Sequence, residues 1–373
     1  MEFKNIRWCL ILSIIFLLSF SCNEEFPYTP PDTPVSLIKG ADISLLQRIE
    51  DFGGVYKENG QAKDALLIFS EHDFNYMRLR IFHTPNGMGP VVNDLPYTLA
   101  LAKRIKNAHF KLLLDFHYSD TWADPGHQVK PTAWEGLSFE DLRDSLFEYT
   151  CSVITALKNE GALPDIVQIG NEITTGLLWP DGRVGDTFDT PEQWNNLATL
   201  VTTGIEGVKA ALESSDSVKI IIHVDNGASM SICKWFFDNL HSENVEFDII
   251  GISYYPWWHG NLQSFEDNLA FLSGEYEKDI MVVEVAYPWM GSYPPLSGSD
   301  FPDPPYEVSP QGQKEYLEEL IRIIANTPNN RGKGIFYWAP EWIPIEEVGT
   351  HWGKLTLFDT TGEVLVGMDA FLD

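Results

Sequence analysis

Two glutamates stand directly after apolar, strand-like runs of the sequence. The run Asp165–Gly170 leads into Asn171 and Glu172, and the run Ile280–Val283 leads into Glu284. An ionised carboxyl group loses its hydration on burial, so a buried strand tip that ends in one is costly unless the group is used. Two carboxyl groups flanking one bond are what glycoside hydrolysis needs, one as proton donor and the other as nucleophile or base. The pair therefore predicts acid–base chemistry on a sugar polymer.

Eight short apolar runs alternate with longer amphipathic segments along the chain. The predicted strands are 36–41, 76–82, 111–116, 165–170, 219–224, 247–253, 279–283 and 334–338. The predicted helices include 95–107, 139–159, 194–214, 265–276 and 313–325. Alternating strands and helices pair in parallel through right-handed crossovers, and eight such units close a barrel.

This alternation predicts an α/β fold, a (β/α)8 TIM barrel, as a single domain over residues 36–373. A doubly wound sheet is the alternative. Such sheets rarely need eight strands, and they would not place polar residues at every strand end. In a barrel, the residues after the strands meet at one face and form the active site.

Aromatic residues gather where the predicted strands end. Nine of the twelve tryptophans lie in or just after these ends: Trp122, Trp134, Trp179, Trp257, Trp258, Trp289, Trp338, Trp342 and Trp352. Flat apolar faces at one rim suit the C–H faces of pyranose rings, so the pattern favours a cleft for carbohydrate. For any single tryptophan, packing in the core is an equally good interpretation.

The overall charge limits the classes of partner. The chain of 373 residues carries a formal net charge of -29. A strong negative field repels nucleic acid, anionic membrane surfaces and polyanionic substrates. We therefore expect a neutral or cationic partner, no nucleic acid, and a monomer, since nothing in the sequence demands more.

The N-terminal residues have the pattern of an export signal. Lys4 and Arg7 precede the apolar run Trp8–Phe20, which is short for a membrane span and long enough for a signal-peptide core. Cys22 follows, as in a bacterial lipobox, where the cysteine becomes the acylated first residue. The acidic pair Glu24-Glu25 resembles the surface-export signal of Bacteroidetes lipoproteins.

These features predict three segments. Residues 1–21 form a lipoprotein signal peptide, residues 22–35 an acylated, Pro-rich tether, and residues 36–373 the barrel. The expected location is the outer membrane or cell surface, with membrane contact only through the lipid anchor; a secreted or periplasmic protein is the alternative. The two cysteines beyond the tether, Cys151 and Cys233, are far apart and read as buried thiols.

Motifs along the whole barrel resemble those of family 53 glycoside hydrolases. The residues that carry the resemblance are Lys39–Ser44, Met77–Arg80, Leu113–Pro125, Val167–Ile173, Gly176–Pro180 and Ser253–Gly260, and the match extends to Leu357–Asp359. The resemblance implies an endo-β-1,4-galactanase with a (β/α)8 barrel and catalytic glutamates after strands four and seven.

The same resemblance implies roles for individual residues. Glu172 would be the general acid/base and Glu284 the nucleophile of a retaining mechanism. Asn171 would hydrogen-bond the sugar 2-hydroxyl. Arg80 and Tyr255 would orient Glu284 and keep it ionised, since a cation or a donated hydrogen bond favours the carboxylate. The remaining residues expected to bind substrate are His117, Asp120, Trp122, His223, Asp225, Trp257 and Trp338.

Two departures from the family pattern are visible. Val285 stands where the family usually has threonine after the nucleophile. In the Pro-rich segment 293–312, some bacterial relatives bind calcium, but Asp300, Asp303 and Glu307 do not reproduce their ligand spacing. The sequence leaves a structural calcium open, and we expect no cofactor to be required.

Three functions compete at this stage. The first is retaining, endo-acting hydrolysis of β-1,4-galactan in the type I arabinogalactan side chains of pectin. The second is a β-glycanase of the same clan that acts on mannan or xylan, which the glutamate pair alone does not exclude. The third is a non-catalytic glycan-binding lipoprotein. Against the third, a binding protein has no use for a proton donor. A phosphate-handling barrel is disfavoured by charge and by the lack of a Gly-rich cradle.

Overall fold

Eight parallel strands form a closed barrel in the computed structural model, which describes residues 37–298, 301 and 303–373. The strands are β1 (Ile38–Asp42), β2 (Tyr76–Ile81), β3 (Lys111–Phe116), β4 (Ile166–Ile169), β5 (Lys219–Val224), β6 (Ile249–Tyr254), β7 (Asp279–Val285) and β8 (Gly332–Trp338). Each strand pairs with its neighbours in the chain, and β8 closes the barrel on β1. The predicted (β/α)8 barrel is confirmed.

Helices surround the barrel on its outer side. They are α1 (Leu46–Asp51), α2 (Ala65–Glu71), α3 (Leu95–Asn107), α4 (Phe139–Asn159), α5 (Pro191–Ala210), α6 (Met230–Ser242), α7 (Pro256–His259), α8 (Leu262–Glu275) and α9 (Pro310–Ala325). Short 3-10 turns occupy Thr132–Trp134, Ile173–Thr175, Asp186–Phe188, Pro328–Asn330 and Val366–Phe371. Two small ribbons pair Lys57–Glu58 with Gln61–Ala62 and Gly176–Leu177 with Gly182–Arg183.

Three helices begin earlier than the hydrophobic pattern predicts because polar residues cap them. The side chains of Thr190, Asn261 and Ser309 each accept a hydrogen bond from the backbone N–H three residues later. Such caps satisfy an N–H that has no partner within the helix, so the helix starts at the cap rather than at the first apolar residue.

The interior of the barrel is apolar in its N-terminal part. A buried cluster takes residues from β2 to β8: Tyr76, Leu113, Ile166, Ile221, Ile249, Met281, Val283 and Phe336. Gly40 on β1 makes room for the ring of Phe336, because a Cβ at this position would lie 2.2 Å from Cδ1 of that ring. Two residues further along β2 to β5, the buried side chains are polar (Arg78, Asp115, Gln168 and His223), and they lie toward the C-terminal ends where the site is found.

The described residues form the predicted barrel, but they do not include the N-terminal segments for which predictions were made. Residues Ser36–Asp373 form one compact unit. The predicted signal peptide, the tether and Cys22 lie outside the described residues, as does Ser36 at the start of the first predicted strand. Within the described ranges, no helix is long and apolar enough to cross a membrane.

Candidate active site

A cleft opens at the C-terminal ends of the strands and contains both glutamates that the sequence singled out. Its walls are formed by His117, Trp122, Ala123, Asp124, Pro125, Asn171, Glu172, Asp225, Asn226, Tyr255, Trp258, His259, Glu284, Trp338 and Trp352. These residues lie at or after the ends of β3 to β8, so the cleft depends on six strands of the barrel rather than on one loop.

The end of β4 turns sharply so that Asn171 and Glu172 face the cleft. Gly170 has φ 82° and Glu172 has φ 47°, both in the left-handed region. A Cβ at Gly170 would lie 2.5 Å from Cγ2 of Ile173, so only glycine fits this turn. The left-handed conformation of Glu172 is unfavourable for a non-glycine residue, so the surrounding structure must hold it in place.

Glu284 at the end of β7 contacts a cation and a hydroxyl donor. Its Oε1 atom lies 2.9 Å from Nη2 of Arg78, and its Oε2 atom accepts a hydrogen bond of 3.0 Å from the hydroxyl of Tyr255. Burial raises the pKa of Glu284 to about 7; the charge of Arg78 and the hydroxyl of Tyr255 oppose that rise, and the carboxyl groups of Asp115 and Asp42 add to it. Both contacts favour the carboxylate over the neutral acid.

Arg78 is the centre of a buried polar network. Its guanidinium donates to Asp42 at 2.8 Å, to Asp115 at 2.8 Å and to Oδ1 of Asn171 at 2.9 Å. Burial would lower the pKa of Arg78, but the surrounding carboxylates keep it above the ordinary value. One cation thus fixes the ends of β1, β3, β4 and β7 relative to one another.

The prediction that Arg80 orients Glu284 is wrong. Arg78 and Arg80 lie two residues apart on β2 and therefore point to the same side of the strand. Arg78, the deeper of the two, extends to Glu284. Arg80 instead lies 3.5 Å from a carboxylate oxygen of Asp42 and 4.2 Å from the ring centroid of Trp122. It supports the cleft wall from behind.

Glu172 has a different environment from Glu284. Its Oε1 atom accepts a hydrogen bond of 2.6 Å from the hydroxyl of Ser253, and within the described chain no cation contacts its carboxyl group. Burial raises the pKa of Glu172 well above its ordinary value. The neighbouring carboxyl groups of Glu284 and Asp225 raise it further, whereas the hydroxyl of Ser253 opposes the rise. These surroundings favour a neutral, protonated acid.

Five of the predicted substrate-binding residues line the cleft with the glutamates: His117, Trp122, Asn171, Asp225 and Trp338. Tyr255 also lines it, in contact with Glu284. The amide nitrogen of Asn171 donates to the carbonyl oxygen of Ala123 at 2.8 Å, which fixes the orientation of the side chain.

Three other predicted binding residues do not line the cleft. Asp120 accepts hydrogen bonds from the backbone N–H groups of Thr84 and Thr132 and so joins two loops. His223 is fully buried below the cleft. Trp257 is also fully buried, because the short helix α7 turns it inward and presents its neighbour Trp258 to the cleft.

Three site residues have no role predicted from the sequence. Arg78, Ser253 and Asp124 all contribute to the cleft or to its carboxyl groups. Alternation along β2 makes Arg78 as good a candidate as Arg80, because both residues point to the same side of the strand. Ser253 precedes two tyrosines in a recognised motif, but nothing in the sequence indicates that its hydroxyl meets Glu172.

The departure at Val285 lies away from the chemistry, since its side chain is fully buried in the hydrophobic core. A structural calcium in the segment 293–312 stays a prediction. Asp303 and Glu307 are exposed, and Asp300 lies outside the described residues. Within the described ranges no group of three or more His, Cys, Asp or Glu residues could hold a metal ion.

Comparisons with known proteins agree with this geometry. The family model described as Glycosyl hydrolase family 53 matches residues 38–371. An uncharacterized protein from the bgaB 5′ region of Niallia circulans is 46% identical over 90% of this chain and 93% of its own. An arabinogalactan endo-beta-1,4-galactanase of Thermothelomyces thermophilus is 34% identical over 89% and 98%. The solved Ignisphaera aggregans GH53 catalytic domain has a TM-score of 0.83 at 35% identity, covering 91% and 97%. The chain belongs to glycosyl hydrolase family 53.

Proposed function

We propose that this chain is a retaining endo-β-1,4-galactanase that cleaves the galactan side chains of pectin. The observation that carries the proposal is the unequal setting of two carboxyl groups in one cleft. Arg78 and Tyr255 contact Glu284, whereas among the described residues the carboxyl group of Glu172 accepts a hydrogen bond only from the hydroxyl of Ser253. A retaining glycosidase needs this division between a charged nucleophile and a protonated acid. Relatives of the chain are named endo-beta-1,4-galactanases.

In the first step, Glu284 attacks the anomeric carbon while Glu172 donates its proton to the glycosidic oxygen. The galactan chain on the leaving side departs, and a galactosyl ester forms on Glu284. In the second step, Glu172 is a carboxylate and takes a proton from water as the water attacks the ester. Two inversions give net retention. Asn171 is placed to bond the sugar 2-hydroxyl, a contact that strengthens in the oxocarbenium-like transition state.

A neutral polymer fits the charge of the cleft. Within the described chain, four carboxyl side chains line it (Asp124, Glu172, Asp225 and Glu284) and no lysine or arginine does. A polygalacturonate backbone would meet both this local charge and the net charge of -29. The indoles of Trp122, Trp338 and Trp352 offer apolar faces for sugar rings.

The alternative function is hydrolysis of xylan or mannan by a glycanase of the same clan. Structures such as the catalytic core of xylanase A resemble this barrel, but that protein is only 12% identical to this chain. A likeness at that level supports the fold alone. A pure glycan-binding role leaves Arg78 and Tyr255 on Glu284 without a purpose, because sugar capture needs no ionised nucleophile. The two carboxyl groups supply the whole chemistry, so we expect no cofactor to be required.

We further propose that the protein is a monomeric lipoprotein at the cell surface. The support comes from the sequence: Cys22 in a lipobox-like context, the acidic pair after it and the Pro-rich tether to the barrel. Such a location suits an enzyme whose polymeric substrate is too large to import.

The substrate prediction is that purified protein releases short β-1,4-galacto-oligosaccharides from linear galactan. Chromatography should show a spread of product lengths, because an endo-acting enzyme cuts inside the chain. Mannan, xylan, cellulose and polygalacturonate should stay intact. Proton NMR of the first product should show the β-anomer. Cleavage of mannan or xylan instead would favour the alternative function, a glycanase of the same clan. An α-configured first product would refute retention.

Removing each glutamate should have different consequences. Glu284→Ala should abolish hydrolysis of every galactoside, because no covalent intermediate forms. Glu172→Ala should lower activity on galactan by about 10²- to 10⁴-fold but spare an aryl galactoside whose leaving group needs no protonation. Azide should then yield the β-galactosyl azide. The exposed Glu206→Ala is the control and should behave as wild type.

One result would contradict the role of Glu172 as the acid/base. If Glu172→Ala loses activity on galactan and on the activated substrate to the same extent, and azide restores nothing, then Glu172 is not the acid/base.

The acid limb of the pH profile should respond to Tyr255. Its hydroxyl donates to the carboxylate of Glu284, so its removal disfavours the ionised form and raises the pKa of Glu284. For Tyr255→Phe, the acid limb of kcat/KM should therefore move to higher pH, by on the order of one unit, while the alkaline limb stays. Tyr254→Phe is the matched control, since that hydroxyl bonds the carbonyl of Gly260. A limb that stays, or moves to lower pH, contradicts the assignment.

The location is testable in intact cells. Cells that carry the wild-type protein should release galacto-oligosaccharides from added galactan, and Cys22→Ala should move the activity from the membrane fraction to the soluble one. Activity that appears only after lysis would argue against a surface lipoprotein.

A further inference from the structure

Two fully buried residues connect the backbone of Glu172 to its own carboxyl group. The backbone N–H of Glu172 donates to Nδ1 of His223 at 3.2 Å. The other ring nitrogen of His223, Nε2, lies 2.9 Å from Oγ of Ser253. The hydroxyl of Ser253 donates to Oε1 of Glu172 at 2.6 Å. The three residues form a closed circuit, and His223 and Ser253 have no exposed surface.

The direction of every hydrogen bond in this circuit follows from one fixed donor. A backbone N–H can only donate, so Nδ1 of His223 must accept. The amide nitrogen of Gln168 also donates to Nδ1, at 3.0 Å. Oδ1 of Asn171 lies 3.2 Å from the same atom, but it already accepts from Arg78. Nδ1 of His223 therefore faces two hydrogen-bond donors, and it acts as an acceptor.

The ring of His223 is neutral in this setting. Burial lowers the pKa of His223 well below its ordinary value, and the nearby Arg78 lowers it further. A neutral ring with an accepting Nδ1 carries its hydrogen on Nε2. That hydrogen points to Oγ of Ser253, so the hydroxyl hydrogen of Ser253 is available only for Glu172.

We propose that Ser253 and His223 are positioning residues that hold Oε1 of Glu172 as a hydrogen-bond acceptor and thereby assign the catalytic proton to Oε2. Among the described residues, none donates a hydrogen bond to Oε2. The proton is thus kept on one defined oxygen, which can be directed at the glycosidic oxygen in the first step. In the second step, the same geometry leaves Oε2 to accept the proton of water. This inference rests on the proposed function for its catalytic meaning.

The position of Ser253 depends on an irregularity in the barrel. The pairing of β6 with β7 shifts register between Ile252 and Ser253, so that Ser253 lies opposite Glu284. The backbone of Glu172 is left-handed, which is strained for this residue. His223 contacts that backbone directly and holds the carboxyl group through Ser253.

The variant Ser253→Ala tests the circuit. Loss of the donated hydrogen bond disfavours the ionised form of Glu172 and frees its carboxyl group. The kcat on galactan should fall by about tenfold or more, with KM within about twofold, because hydrogen bonds to charged groups are stronger than those between neutral groups. An aryl galactoside that needs no protonation should lose less.

The pH profile separates positioning from a purely structural role. For Ser253→Ala, the alkaline limb of kcat/KM should move to higher pH, because removing a donor raises the pKa of Glu172. The other titratable groups of the cleft are unchanged in this variant: His117, Asp124, Asp225, Tyr255, His259 and Glu284. Ser253→Thr keeps a hydroxyl and should keep the wild-type limb. Ser273→Ala, at a buried serine on α8, is the matched control.

Neutron diffraction of the wild-type protein tests the proton assignment without any variant. Deuterium should lie on Nε2 of His223 and on Oε2 of Glu172, and the hydroxyl of Ser253 should point to Oε1. Deuterium on Nδ1 of His223 or on Oε1 of Glu172 would overturn the proposal, as would an unmoved alkaline limb or an equal loss on all substrates for Ser253→Ala. If the wild-type protein leaves galactan intact, the proposed function fails, while the neutron result still decides the circuit.

Discussion

The buried contact between Arg78 and Glu284 is the interaction on which the rest of the site depends. An ion pair inside a protein is costly to bury, and removing one partner typically costs about 3–5 kcal/mol because the other charge is left unpaired. Here one guanidinium, which is 1% exposed, is shared by Asp42, Asp115 and Glu284. The cation is over-compensated, so the network retains negative charge directly beneath the cleft.

The same network separates the behaviour of the two glutamates. Glu284 receives a cation and a hydroxyl, while Glu172 lies across the cleft among other carboxyl groups. Two interacting carboxyl groups titrate as a pair, and the first proton leaves the group whose charge is better supported. We therefore expect Glu284 to be ionised while Glu172 keeps its proton. The apolar filling of the lower barrel, around Phe336, forces this polar layer to the C-terminal end.

Sequence periodicity predicts most of the fold. Eight apolar runs correspond to the eight strands, with ends displaced by at most a few residues, because strands buried on both faces read as continuous apolar segments. It also locates Glu172 and Glu284, since a carboxyl group at a buried strand tip stands out.

Periodicity fails where two residues share a face. Arg78 and Arg80 are equivalent by alternation, so the pattern does not show which of them contacts Glu284. Trp257 and Trp258 differ only through the turn of α7, and the contact of Ser253 with Glu172 depends on a register shift that no local pattern reports.

The most direct test of the central claim is to trap the covalent intermediate. A 2-deoxy-2-fluoro β-galactoside with a good leaving group should accumulate as an ester, because fluorine slows the hydrolytic step while the leaving group sustains the first. Peptide mass spectrometry of the inactivated protein should then place the fluorosugar on Glu284. A label on Glu172, or turnover of the reagent without any labelled peptide, would contradict the account in which Arg78 holds Glu284 as the charged nucleophile.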